Sequence, residues 1–164
     1  MKVFLRSGLF LALAVILLAG AGCGKKPVDQ DTPIGYGDEE FTSEERQAAA
    51  QISNGIIFFE FDSFDLRADS KSVLSQKATV LKQFPQLRVV IEGHADERGT
   101  EEYNLALGER RARAAFEYLM NLGIPASQMD MVSFGKLHPA VLGSNEAAWA
   151  QNRRDEFKVT KTTY

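Results

Sequence analysis

Cysteine is almost missing from this chain: Cys23 is the single thiol among 164 residues, so no internal disulfide can form. Histidine is nearly as scarce. His94 and Asp96 make an HxD pair, but His138 is isolated and no further ligands stand at metal-binding spacing, so no metal site is expected. Excess positive charge is absent too, with a formal net charge of -3 and a pI near 5.5. That balance argues against a nucleic-acid binder held by phosphate contacts, although Arg110, Arg111 and Arg113 cluster closely enough to take a small anion. Membrane-spanning length is lacking as well. The apolar run from Gly8 to Leu18 falls short of the roughly 20 residues that a spanning helix needs. No internal repeat is found.

What is present supports one folded unit with appendages. With 45% hydrophobic and 25% charged residues, the chain can bury one core of ordinary size but not two. Lys2 and Arg6 ahead of the apolar run, and Ala19-Gly20-Ala21-Gly22 behind it, read as an export signal over residues 1–22. Cys23 after these small residues resembles a bacterial lipobox, with Gly20 where such boxes usually carry leucine. The resemblance implies removal of the signal and acylation of Cys23, and several acyl chains hold a protein on a bilayer far better than one. Gly24, rather than an aspartate, follows the cysteine, which by the same resemblance points to the outer membrane. Residues 23–54 are polar and turn-rich, with Pro27, Pro33, Gly35 and Gly37, and read as a flexible tether. Its span is on the order of 30 Å. A short helix from Ser43 to Gln51, capped by the serine, interrupts it.

Residues 55–164 carry the pattern of a folded head. Ile57, Phe59 and Phe61 alternate with Phe58, Glu60 and Asp62, as in a strand over 56–62 with Asp62 at its exposed end. Leu74, Ala78 and Leu81 line one face of a helix over 66–84 that Pro85 closes. Strands over 87–92, 129–134 and 155–160, a long helix over 102–122 and a short one over 145–150 complete the set. Few strands alternating with helices predict an α/β (α+β) two-layer sandwich, with helices on one face of a mixed four-stranded sheet.

The segment Gly93-His94-Ala95-Asp96-Glu97-Arg98-Gly99-Thr100 sets an acidic loop before an arginine-rich helix, Leu107-Gly108-Glu109-Arg110-Arg111-Ala112-Arg113. With Ala112 at the centre of the buried face, about 100° per residue puts Arg110 in solvent and Arg111 and Arg113 at the two margins. Either could line a groove, its stem on apolar surface and its guanidinium at the opening. Asp96 lies between two glycines, and Thr100 is the expected helix cap.

Together with Phe61-Asp62 and Gln151-Asn152-Arg153-Arg154, this segment resembles the OmpA-like peptidoglycan-binding domain family, in the wording of its peptidoglycan-associated lipoproteins. The resemblance covers roughly Ile56 to Thr160. It implies a ligand, meso-diaminopimelate, whose side chain ends in an ammonium and a carboxylate on one carbon. By position, the ammonium-binding acid falls on Asp96, the carboxylate-binding arginine on Arg111, and the pocket lining on Phe61, Asp62 and Leu107. Asp65, Thr100, Tyr103 and Asn104 are further candidates nearby. The Asn152-Arg153-Arg154 run is expected to stabilise the sheet or a helix end. The implied role is non-enzymatic: a lipid-anchored protein of the outer membrane's periplasmic face that grips the wall, with TolB and other Tol components as partners during envelope constriction. No cofactor is expected.

Two other classes fit less well. A wall hydrolase needs an activated nucleophile, a zinc-bound water or paired carboxylates, and none is assembled in the sequence. A flagellar stator of the MotB type needs a retained membrane helix bearing an acid, and the run from Gly8 to Leu18 carries none. From the sequence, Asp96→Ala and Arg111→Ala are both expected to weaken wall binding and to leave the fold intact.

Overall fold

A computed structural model of the chain describes residues 41–161, so the expected signal, Cys23 and most of the tether lie outside the described residues. In chain order the elements are α1 (Ser43–Asn54), β1 (Ile57–Phe58), α2 (Ala68–Gln83), β2 (Leu87–His94), α3 (Glu101–Asn121), a 3-10 turn (Ala126–Gln128), β3 (Met129–Gly135), α4 (Glu146–Asn152) and β4 (Arg154–Lys161). The sheet runs β1-β4-β2-β3; β4 is antiparallel to both neighbours and β2 is parallel to β3. It is therefore the mixed four-stranded sheet expected. The parallel pair is joined by α3, because parallel strands require a crossover.

Period-two alternation decides which face of the sheet is covered. Leu87, Val89 and Ile91 of β2, Met129 of β3 and Phe157 of β4 are buried against Leu74, Ala78 and Leu81 of α2 and Ala112, Ala115 and Leu119 of α3. The intervening residues, among them Val90, Glu92, Val132, Glu156 and Lys158, are half-buried or exposed on the other face. Each large apolar side chain taken fully out of water contributes roughly 1.5–3 kcal/mol, so this single layer of contacts dominates the stabilisation.

Two expectations need correction. The tether does not run freely to Asn54, because α1 places Ala48 and Ile52 in the same core. A helix of 12 residues is marginal alone in water, so α1 exists because that face is buried. Its cap is Thr42 rather than Ser43: the Thr42 hydroxyl accepts from Glu45 N–H, and the Glu45 carboxylate accepts from Thr42 N–H, a reciprocal capping box. The strand expected over 56–62 also shortens, to Ile57–Phe58. Its partner β4 begins at Arg154, so pairing ends after Phe59 N–H bonds to Arg153 O, and the chain then turns with Asp62 at φ 53°.

Candidate functional site

The site is set where α3 crosses the end of β2. Gly93 and Gly108 meet there with no side chain between them: a Cβ on Gly93 would lie 2.0 Å from Gly108 O, and one on Gly108 would lie 2.4 Å from Ser133 Oγ. Only glycine at both positions lets the helix backbone sit this close to the strand. The loop that follows β2 is tied on both sides, with Ala95 N–H donating to Gly135 O at 2.8 Å and Lys136 Nζ to Gly99 O at 2.7 Å. Thr100 caps α3 by accepting from Tyr103 N–H, as expected.

Around this junction one cavity of about 200 Å³ is lined by Phe61, Asp62, Asp96, Arg98, Gly99, Tyr103, Asn104, Leu107 and Arg111. All five residues singled out from the sequence border it. Of the further candidates, Tyr103 and Asn104 also line it. Asp65 instead pairs locally with Ser63, and Thr100 serves as the cap. The helical-wheel ambiguity resolves toward Arg111, since Arg113 is exposed and bonds Glu109 at 2.8 Å.

Arg111 is wholly buried, and its contacts are not those of a surface ion pair. Nε donates to Ser63 O at 2.9 Å, Nη1 to His94 O at 2.8 Å and Nη2 to Glu60 O at 3.2 Å. One guanidinium thus joins α3, the end of β2 and the turn after β1. Three of its five N–H donors are used, leaving two for another acceptor. Burial pushes it down to about 10, with Asp155 and Asp96 opposing, so it stays charged at neutral pH.

Asp96 is also buried. Arg98 forks onto it, Nε at 3.0 Å and Nη2 at 2.6 Å, while Arg98 N–H donates at 3.1 Å and Arg153 Nη1 at 3.4 Å. Burial alone would raise its carboxyl, but the hydrogen bonds and charge of Arg98, with the hydrogen bond from Arg153, outweigh that and hold it below the usual carboxylate range. Arg98 in turn lies between two rings, its guanidinium carbon 4.0 Å from the centroids of both Phe61 and Trp149. Trp149 Nε1 donates to Glu97 at 3.0 Å. Tyr103 closes the rim through a hydrogen bond from its hydroxyl to Asp62.

Sequence reasoning missed Arg98, Trp149 and Arg153 as members of this network. The chain's single tryptophan, on a helix capped by Asn145, was the available signal. Arg153, expected to stabilise the sheet or a helix end, donates to Phe59 O at 3.1 Å, and it also reaches Asp96 and Glu146.

A sequence model described as the OmpA family matches residues 58–153. The chain belongs to the OmpA family. Among its members, the peptidoglycan-associated lipoprotein of Pseudomonas aeruginosa is 41% identical over 169 residues, covering 94% of this chain and 98% of that one. The crystal structure of the peptidoglycan-associated lipoprotein from Burkholderia pseudomallei superposes with a TM-score of 0.65 at 44% identity, over 67% of this chain and 93% of that one. The C-terminal domain of Helicobacter pylori MotB gives a TM-score of 0.61 at 18% identity, over 66% of this chain and 85% of that one, a likeness of fold alone.

Proposed function

We propose that this OmpA-family chain is a non-enzymatic outer-membrane lipoprotein that binds peptidoglycan non-covalently through the side-chain end of meso-diaminopimelate. The observation that supports this most is the convergence of Asp96 and Arg111, with Phe61, Asp62 and Leu107, on one cavity of about 200 Å³. The ligand's carboxylate takes the free N–H groups of Arg111, and its ammonium goes to Asp96, displacing Arg98 from the acid. Each contact is a charge-assisted hydrogen bond. A lysine side chain has the ammonium but no carboxylate, and so forgoes the hydrogen bonds to the two remaining N–H groups of Arg111, roughly 1.5–3 kcal/mol for a bond to a charged group. Lysine-type wall is therefore a poor ligand without any steric exclusion.

On this reading residues 1–22 are the removed signal, acylated Cys23 enters the outer membrane from its periplasmic side, and the tether gives the head its reach. The relatives' name, peptidoglycan-associated lipoprotein, supports both the wall and the lipid ends. TolB and other Tol components are the proposed protein partners, in envelope constriction during cell division. The test is sedimentation with purified diaminopimelate-type sacculi, with free meso-diaminopimelate as competitor and Asp96→Asn as the variant. Binding that competes away and falls in the variant is expected. Retention of Asp96→Asn at the level of the unmodified chain removes the site, and release of soluble wall fragments replaces anchoring with hydrolysis.

A further inference from the structure

In the sequence His94 pairs only with Asp96, but the fold gives it other neighbours. In the β2–β4 pairing Glu92 stands directly opposite Glu156, and His94, two residues along β2, shares their face of the sheet, away from the helices. One ligand atom from each of the three side chains lies within 4.8 Å of the other two. His94 is only 2% exposed, and neither Nδ1 nor Nε2 has a hydrogen-bond partner. An imidazole buried with both nitrogens unpaired is costly, by roughly 1–3 kcal/mol for each unsatisfied group, and native structures retain such groups where something else satisfies them.

We propose that Glu92, His94 and Glu156 form a binding site for a divalent transition-metal cation such as zinc, rather than calcium or magnesium, on the helix-free face of the sheet. The donor set separates these two classes of metal. One imidazole nitrogen and two carboxylate oxygens suit zinc, which accepts three protein ligands and a water, whereas calcium and magnesium take oxygen ligands. Tetrahedral bonds of about 2.0–2.1 Å put ligand atoms about 3.4 Å apart, so the cluster must close by no more than about 1.4 Å, within the reach of side-chain rotation.

The cations that share Glu156 are the competitors. Arg154 reaches Oε1 at 2.6 Å and Lys158 reaches Oε2 at 3.0 Å. Lys158 is more than half exposed and can release Oε2 into solvent contact, while Arg154, buried and also bonded to His138 O at 3.3 Å, stays to orient the other oxygen. Phe134 walls the site: it stacks on His94 at 5.5 Å and on His138 at 4.4 Å. The backbone of His94 faces the other business of the fold, since its carbonyl accepts from Arg111 Nη1. An ion on the His94 ring would therefore fasten the residue that holds Arg111.

The experiment is calorimetric titration of zinc chloride into the full chain carrying Cys23→Ser, in detergent and a non-chelating buffer, with the thiol removed so that it cannot take the ion. One saturable equivalent is expected, weakened at least about tenfold in the Glu92→Gln/Glu156→Gln double variant. Those half-buried glutamates can be changed without opening the core, and circular dichroism checks the fold. Nitrogen-15 spectra of the two histidine rings give the second readout, with His94 shifting as zinc is added. No saturable uptake, uptake unchanged in the double variant, or a shift confined to His138 would overturn the proposal.

Discussion

Replacing Arg111 with alanine tests whether this side chain is a ligand group only or also a bolt. The guanidinium holds three carbonyls from two separate segments, Glu60 and Ser63 after β1 and His94 at the end of β2. Hydrogen bonds from a charged donor contribute roughly 1.5–3 kcal/mol each, and three on one group are not additive. Water can reach some of the freed carbonyls, because the bonds to Ser63 and Glu60 are only partly buried. Balancing these, Arg111→Ala should cost about 4 kcal/mol, a large share of the 5–15 kcal/mol that holds a typical domain folded. For a domain of this size that lowers Tm by roughly 15 °C. Urea unfolding at constant m measures it. Arg111→Lys should recover less than half of the loss, because one ammonium cannot meet three diverging carbonyls. A loss in Arg111→Ala below about 1 kcal/mol would refute the argument, since a group that stabilises so little is not fastening those segments. Arg111→Ala is thus expected to fold with much reduced stability, and Asp96→Asn becomes the cleaner probe of binding.

Gly108→Ala sets two effects against each other: an alanine in a helix interior ordinarily gains about 1 kcal/mol over glycine. Here the new methyl lies 2.4 Å from Ser133 Oγ and 2.8 Å from Gly93 O, so overpacking by about 1–3 kcal/mol should win, and a stabilised variant in thermal melts would show that the crossing can relax. Lys77 is buried, donates to Ile52 O and lies 4.1 Å from the Phe157 ring centroid, and burial pushes its ammonium down to about 7. A folded pKa below the ordinary 10.5 means that the unfolded chain binds more protons between those values. Stability should therefore climb as pH rises through that window, and Lys77→Met should remove the climb; a flat profile in the unmodified chain would contradict the assignment. Trp149 is the single tryptophan and stacks on Arg98, so a meso-diaminopimelate peptide that draws Arg98 off Asp96 should change its emission, and a lysine peptide should change it much less. Equal responses to the two peptides would remove the proposed displacement.

Most of the architecture was legible because it follows from short-range pattern. The alternation of Leu87, Val89 and Ile91 and the helical spacing of Leu74, Ala78 and Leu81 fix buried faces without knowledge of the partner. The length of β1 was not legible, because it depends on where β4 begins, far along the chain. Asp96, Arg111, Phe61, Asp62 and Leu107 were named through the family resemblance, carried by two separate segments that the fold brings to one cavity. The pairing of Asp96 with Arg153 and the stack of Arg98 on Trp149 join residues more than fifty positions apart, and spacing carries no sign of such contacts. His94 shows the same limit: its acidic neighbour on β4 becomes visible only through strand register.

The backbone contact between Gly93 and Gly108 has a consequence for the spacing of the two charged groups. Where helices rest on sheets through side chains, a change of rotamer can adjust the spacing by an ångström or so; here peptide meets peptide, and there is nothing to adjust. The strand end that leads to the acid and the helix that bears the guanidinium are thus held as the two jaws of a fixed gauge. A substitution that parts the two backbones therefore moves Arg111 relative to Asp96 even where both side chains are kept.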